Sequence, residues 1–170
     1  VLLALIALQF RRYPNARITI FDKGGSARAA VLGMGGAYFD LGSEGSLAFQ
    51  PLAGIDQLAE RSFAQSWVQG LLAHENVEIT PEVTEAVCQA LQPYTLEGPY
   101  GRLLDAEENR LRLGAVQCFE MEELMHEEGA VPPVLTYLFH RIEADFDGSP
   151  ALLILDEAWL FLDNPAFAAR

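Results

Sequence analysis

Lysine is almost absent from this sequence. Of the 170 residues only Lys23 is a lysine; arginines make up the rest of the 11 basic residues, which face 24 acidic ones. The formal net charge is −13. Non-specific binding to DNA or RNA depends on many lysines and arginines that neutralise phosphates, and anionic lipid attracts the same side chains. The composition therefore disfavours a nucleic-acid or anionic-membrane surface on this segment.

Cysteine and histidine are scarce as well. Cys88 and Cys118 stand 30 positions apart, which is neither a metal-binding spacing nor a disulfide framework. The 3 histidines have no ligand spacing with one another, which argues against a zinc site. We therefore expect two buried free thiols in a protein of a reducing compartment.

Long apolar runs are missing too. No stretch reaches the ~18 consecutive apolar residues that a membrane-spanning helix requires. The apolar opening, residues 1–8, lacks an initiator Met, a preceding basic segment and a cleavage site, so it is not typical of a signal peptide. The missing Met suggests a piece cut from a longer protein. The pattern predicts a helix over residues 1–12, apolar nearly all round and therefore buried.

What the sequence does contain is an alternation of strands and helices. Short runs of aliphatic, β-branched and aromatic residues predict strands at residues 17–21, 37–41, 115–121 and 151–155. A helical block is predicted around 56–92, and a further helix follows Pro132. The buried stripe of the block is predicted to be Ala59, Phe63, Trp67 and Leu71. Strands that alternate with helices predict an α/β fold with a mostly parallel sheet.

Two adjacent acids follow the last of these strands. Residues 151–155 form an unbroken aliphatic run, typical of a strand covered on both faces, and Asp156 and Glu157 come directly after it. Ligands of open α/β sheets bind at the carboxyl ends of strands. An Asp there can hold Mg²⁺, and the next Glu can orient or deprotonate an attacking water, as in the Walker B strand of a nucleotide hydrolase. The alternative is a buried strand followed by an acidic helix cap.

Several segments, in this order, resemble a known family. They are Phe21-Asp22-Lys23-Gly24, the helical segment opened by Thr80-Pro81, Phe119-Glu120-Met121, and Asp147-Gly148 leading to the acids, Trp159 and Leu160-Phe161-Leu162. Over nearly the whole chain they are similar to the large ATPases of conjugation and type IV secretion, the TrbE/CagE-type family. The resemblance implies a RecA-like P-loop ATPase core that uses ATP and Mg²⁺. Residues 1–170 would be one partial domain of it, with the helical block around 56–92 as an insertion.

The resemblance also implies roles for single residues. Asp156 matches the Mg²⁺-associated acid, bound directly or through water, and Glu157 matches the catalytic base. Asp22 and Lys23, at the end of a neighbouring strand, would face the nucleotide or a subunit interface; a loop salt bridge is the alternative. The family's phosphate loop, the Walker A motif, would precede the first residue, and its later glutamine-bearing strand would follow the last.

The family further implies partners and a location. It suggests a hexamer at the cytoplasmic face of the bacterial inner membrane, working with other secretion-channel subunits. Hydrolysis would power assembly of the channel or pilus and substrate transfer. Two alternatives stay open: a non-catalytic assembly module with a degenerate ATPase fold, and a related hexameric DNA-translocating ATPase. The single lysine and the net charge of −13 count against a DNA-gripping surface in this segment.

Overall fold

The chain divides into two compact units. The computed structural model describes residues 2–42, 47–77 and 84–158, with the backbone alone at 84–86. The sheet unit takes Val1–Leu47, Arg112–Glu127 and Ile142–Arg170, and the helical unit takes Ala48–Leu111 and Glu128–Arg141. This division does not test the prediction of one domain over the whole chain. Among the described residues, no helix is both long and apolar enough to cross a membrane.

Parallel strands form the centre of the sheet unit. They are β1 (Arg17–Asp22), β2 (Ala37–Asp40), β3 (Val116–Glu120) and β4 (Ala151–Leu155). Their spatial order is β2-β3-β1-β4, and all three pairings are parallel. Ile18 of β1 stands beside both Val116 and Leu152. The predicted strands and the mostly parallel sheet are confirmed, and with its flanking helices this is the α/β architecture expected of a RecA-like core.

The two inner strands, β1 and β3, are buried on both faces. The core of one face comprises Ile18, Ile20, Val116, Cys118 and Ile154, with Ala7 and Val31 from two helices. On the other face, Phe119 stacks between Phe21, at 5.2 Å between ring centroids, and Phe39, at 5.4 Å. Gln117 Nε2 donates a 2.7 Å hydrogen bond to Thr19 Oγ1, so these buried polar groups satisfy each other.

The first helix, α1 (Leu2–Phe10), buries far less than its sequence predicts. Ala7 is completely buried and packs into the core of the sheet, while the large aliphatic residues are exposed: Leu2, Leu3, Leu5, Ile6 and Leu8, at 41–69%. The prediction of a buried helix is therefore wrong for the described residues. A helix lying on a sheet buries one stripe, and apolar residues round the rest of its circumference stay open.

Strand β4 forms an edge of the sheet. It pairs with β1 on one side, and Ile154 is only 5% exposed on the face that α1 covers. Leu153, on the opposite face, is 40% exposed. The prediction that this strand is covered on both faces is therefore wrong for the described residues. An aliphatic run indicates burial, but it does not distinguish an inner strand from an edge strand.

A short helix, α2 (Arg28–Gly33), escapes sequence prediction. It connects β1 to β2, which both run parallel to β3 and therefore need a crossover rather than a hairpin. Its six residues are too few for a helical period to show. Gly35 ends the crossover with φ of 74°, a left-handed conformation that glycine adopts without steric cost.

The helical unit confirms the predicted helical block. Its helices are α3 (Leu58–His74), α4 (Thr84–Leu91), the short α5 (Gly101–Leu104) and α6 (Val131–Ala144), the last belonging to this unit as far as Arg141. Single turns of 3-10 helix occur at Gln92–Tyr94 and, in the sheet unit, at Leu124–His126. Thr80 and Pro81, predicted to open the later helix of the block, lie outside the described residues.

Helix α3 packs on α6 through a stripe that differs from the predicted one. Trp67 and Leu71 are buried as expected, and Trp67 Nε1 donates to the carbonyl oxygen of Pro133 at 3.0 Å. Phe63 is partly buried, its ring centroid 3.7 Å from that of His140, whereas Ala59 is exposed. The prediction for Ala59 is wrong because a helical turn takes ~3.6 residues, so a strict four-residue repeat drifts round the helix.

The two cysteines differ in accessibility. Cys118 is completely buried in β3, and burial, reinforced by the charges of Asp22 and Glu120, raises the pKa of its thiol. Cys88, in α4, is exposed. The prediction of a buried thiol is confirmed for Cys118 and wrong for Cys88. Because the thiolate is the reactive form, Cys118 is shielded both by burial and by its raised pKa.

Candidate functional site

Acidic residues stand at the carboxyl end of every strand in the sheet. β1, β2 and β3 end at Asp22, Asp40 and Glu120, and Asp156 follows β4 directly. Glu120 is in register with both Asp22 and Asp40. Since parallel strands bring their carboxyl ends to one edge, these carboxylates share the edge at which open α/β sheets bind ligands.

Glu120 is the most fully bonded of these acids. Its side chain is 6% exposed, and its carboxylate accepts hydrogen bonds from the backbone amides of Gly24, at 3.0 Å, and Gly25, at 2.6 Å. The hydroxyl of Tyr38 donates to it at 2.8 Å, and the amide of Glu122 at 3.1 Å. Burial, the hydrogen bond to Glu120 and its charge together raise the pKa of Tyr38. Tyr38 therefore remains a neutral donor.

Asp22 is occupied by its own loop. It is 2% exposed, and its two carboxylate oxygens accept from Ser26 Oγ at 2.6 Å and from the amide of Ala27 at 2.8 Å. Lys23 is partly exposed and makes no ion pair with any described residue, so the salt bridge considered for this pair does not form among them. The structure gives Asp22 a part in shaping the loop, while a contact of Asp22 or Lys23 with nucleotide stays a prediction.

Asp156 and Glu157 lie where the chain leaves the sheet. The amide of Asp156 donates to the carbonyl oxygen of Phe21 at 2.9 Å, which extends the pairing of β4 with β1 by one bond. Glu157 then turns the chain with φ of 57°, in the left-handed region that non-glycine residues seldom adopt. Both side chains are partly buried. Such conformations cost about 1–3 kcal/mol and cluster at functional sites.

The donor chemistry of this edge fits Mg²⁺. A single carboxylate with water and phosphate oxygens is the usual protein environment of this ion, and Asp156 supplies such a carboxylate. No group of three or more His, Cys, Asp or Glu side chains among the described residues is arranged to hold a metal by itself. Asp156 would therefore hold Mg²⁺ together with a nucleotide, as its predicted role requires. The helix-cap alternative involves Trp159 and beyond, which lie outside the described residues.

Comparison with known proteins gives this arrangement a family. The conjugal transfer protein TrbE of Rhizobium radiobacter is 43% identical across 98% of this chain. A probable conjugal transfer protein TrbE of Sinorhizobium fredii is 41% identical across 99%. This chain belongs to the TrbE/VirB4 family. A more distant member, the type IV secretion system protein virB4 of Bartonella quintana, is 22% identical across 99% of the chain.

The chain is much shorter than these TrbE/VirB4 relatives. It spans 24% of the length of the Rhizobium protein, 30% of the Sinorhizobium protein and 26% of the Bartonella protein. No protein-family model matches it. The resemblance inferred from the motifs is confirmed, and it extends over nearly the whole chain.

Sequence reasoning found only some residues of the edge of this TrbE/VirB4 chain. It singled out Asp22, Lys23, Asp156 and Glu157, and the structure places all four at strand ends on one edge of the sheet. It assigned no role to Glu120, although the residue ends a predicted strand as Asp22 does. That shared position was the available signal. The donors that surround Glu120 come from other segments and leave no mark in its local sequence.

Proposed function

We propose that this chain is a portion of an ATP-hydrolysing motor that serves conjugative transfer or type IV secretion, within a longer polypeptide. The supporting observation is the Asp156-Glu157 pair at the carboxyl end of a parallel strand, in a chain of the TrbE/VirB4 family. The names of the relatives supply the process, and the acid pair supplies the chemistry. The substrate that is moved, DNA or protein, stays open.

Each acid has one task in this mechanism. The carboxylate of Asp156 holds Mg²⁺ directly or through water; when bound, that ion neutralises phosphate charge. Glu157 accepts a hydrogen bond from the attacking water, orients it and takes its proton as the new phosphorus–oxygen bond forms. The amides and lysine that cradle phosphates belong, in this proposal, to a loop that precedes residue 1 in the longer polypeptide.

The same proposal covers assembly and place. The motor would act as a homo-oligomer, a hexamer by family resemblance, together with other subunits of the secretion channel. It would work at the cytoplasmic face of the bacterial inner membrane. Direct binding of nucleic acid is not assigned to this segment, because its charge of −13 opposes a phosphate backbone.

Glu157→Gln in the complete encoded protein tests the mechanism. Because the amide cannot accept the proton of water, we expect turnover of ATP to fall by about 100-fold or more, while ATP binding is retained. The rate of phosphate release and the Kd for ATP are measured on the same preparation. Glu122→Gln is the matched control, since Glu122 is an exposed glutamate that follows a neighbouring strand.

Two outcomes would count against the proposal. Unchanged turnover in Glu157→Gln would remove the catalytic base from this position. A complete protein that neither binds nor hydrolyses ATP would favour the non-catalytic assembly module instead.

A further inference from the structure

We propose that Glu120 is a positioning residue, which fixes the loop after β1 so that Lys23 binds a phosphate group of the nucleotide. The inference rests on the proposed function, because the nucleotide is its ligand. It assigns to Glu120 a role that acts entirely through Lys23. The argument depends on three features: the bonds of Glu120, the backbone of the loop and the surroundings of Lys23.

Glu120 joins three segments of the sheet unit. Its carboxylate receives the amides of Gly24 and Gly25 from the loop after β1, the hydroxyl of Tyr38 from β2, and the amide of Glu122 from the turn after β3. A buried carboxylate is strongly unfavourable unless donors surround it. The loop amides cannot move away without leaving this charge poorly solvated, so Glu120 holds the loop in one place.

The loop backbone is built for this contact. Gly24 and Gly25 have φ values of 78° and 68°, which glycine adopts freely and other residues do not. Their consecutive amides point at one anion, as in the backbone nests that bind phosphates, and here Glu120 is that anion. On the other side, Asp22 fixes the loop through Ser26 and Ala27. Lys23 therefore stands between two anchored points.

Lys23 is the side chain that this anchoring presents. It is partly exposed, pairs with no described acid, and is the only lysine of the chain. The edge around it carries the carboxylates of Asp40, Asp156 and Glu157, which repel a phosphate. A fixed ammonium offsets that repulsion and acts as a point charge toward phosphate oxygens. Arg28, the next basic residue, instead lies over the ring of Tyr38 at 5.2 Å.

A double-mutant cycle in the complete encoded protein tests the inference. Lys23→Met should weaken MgATP binding about tenfold, the loss expected for one hydrogen bond to a charged group. Glu120→Gln should weaken it similarly, because the amide repels one of the loop amides and releases the loop. The double variant should be no weaker than Lys23→Met alone, since Glu120 acts only through Lys23. Arg28→Met is the matched charge control and should stay within about twofold of the parent.

The outcomes separate this inference from the proposed function. If the parent protein binds MgATP and Glu157→Gln abolishes turnover, but Glu120→Gln and Lys23→Met leave the Kd unchanged, only the inference is overturned. Losses that multiply in the double variant would also overturn it, since they would show that Glu120 acts independently of Lys23. A parent protein without MgATP binding overturns both. If Glu120→Gln does not fold, Glu120→Asp replaces it, because it keeps the charge but withdraws the carboxylate from the loop amides.

Discussion

Gly36 lies against β3 so closely that a methyl group has no room. A Cβ atom at this position would stand 2.7 Å from the carbonyl oxygen of Val116 and 2.8 Å from its Cβ. Much of that contact is with backbone, which cannot turn aside as a side chain can. The amide of Gly36 also donates to the carbonyl oxygen of Val31 at 2.9 Å, so the glycine joins the end of α2 to the sheet.

We therefore expect Gly36→Ala to destabilise the fold by about 1–3 kcal/mol, the usual cost of overpacking. Gly33→Ala is the matched control, because a Cβ at Gly33 meets nothing within 4 Å and its φ is not positive. That change should be neutral or stabilise by up to about 1 kcal/mol. Urea denaturation of the 170-residue chain measures both free energies of unfolding. Equal effects at the two glycines would contradict the close approach of Gly36 to β3.

Single residues of the site were predictable only where their local sequence carried the signal. Asp156 was found because it follows an aliphatic run, which is a pattern within a few residues. The contact of Glu120 with Gly24 spans 96 positions, and its contact with Tyr38 spans 82. Such contacts depend on which strands become neighbours, so the sequence could show that Glu120 ends a strand but not what surrounds it.

At the scale of elements, α1 shows how far an apolar pattern can be trusted. Its composition predicted a helix, and the helix is there; the same composition predicted burial, which Leu5 and Leu8 contradict. Helix formation depends on local backbone preferences, whereas burial depends on what lies beside the helix. The short α2 was missed for the opposite reason, since only the pairing of β2 with β3 requires it.

Substitutions on α1 should separate its buried stripe from its open surface. Leu5→Lys or Leu8→Lys, at positions 51% and 44% exposed, should change the free energy of unfolding by less than about 0.5 kcal/mol. Ala7→Leu, at a completely buried position, should destabilise by about 1–3 kcal/mol. Urea denaturation of the 170-residue chain provides the measurement. A large loss from either lysine variant would show that this surface is covered in solution.

At the scale of the whole molecule, the order of elements along the chain was predictable but their arrangement in space was not. Alternating strands and helices indicated a parallel sheet. The position of β1 between β3 and β4 follows from pairings between segments about 100–130 positions apart, as between Ile18 and Val116 or Leu152. Nothing in the local pattern of β4 marks it as an edge strand. The division into sheet and helical units likewise depends on contacts between distant segments.

The proposed mechanism makes a prediction for the 170-residue chain on its own. It should show negligible Mg²⁺-dependent ATP hydrolysis, because its sequence has the acid pair but no glycine-rich loop ending in Gly-Lys-Ser or Gly-Lys-Thr to cradle phosphates. Phosphate release is measured beside the complete encoded protein as positive control. The Glu157→Gln form of the same chain reveals any contaminating ATPase. Robust turnover that Glu157→Gln abolishes would show that a separate phosphate loop is not required.

The unequal burial of the two cysteines makes the molecule its own folding reporter. Cys88 is open on α4 in the helical unit, and Cys118 is sealed inside β3 in the sheet unit. A thiol reagent added to the native chain therefore modifies one defined position, to which a dye can be attached without disturbing the sheet. Modification of Cys118 requires the strands to separate, so its rate times the opening of the sheet unit, one residue before the phenylalanine stack and two before Glu120.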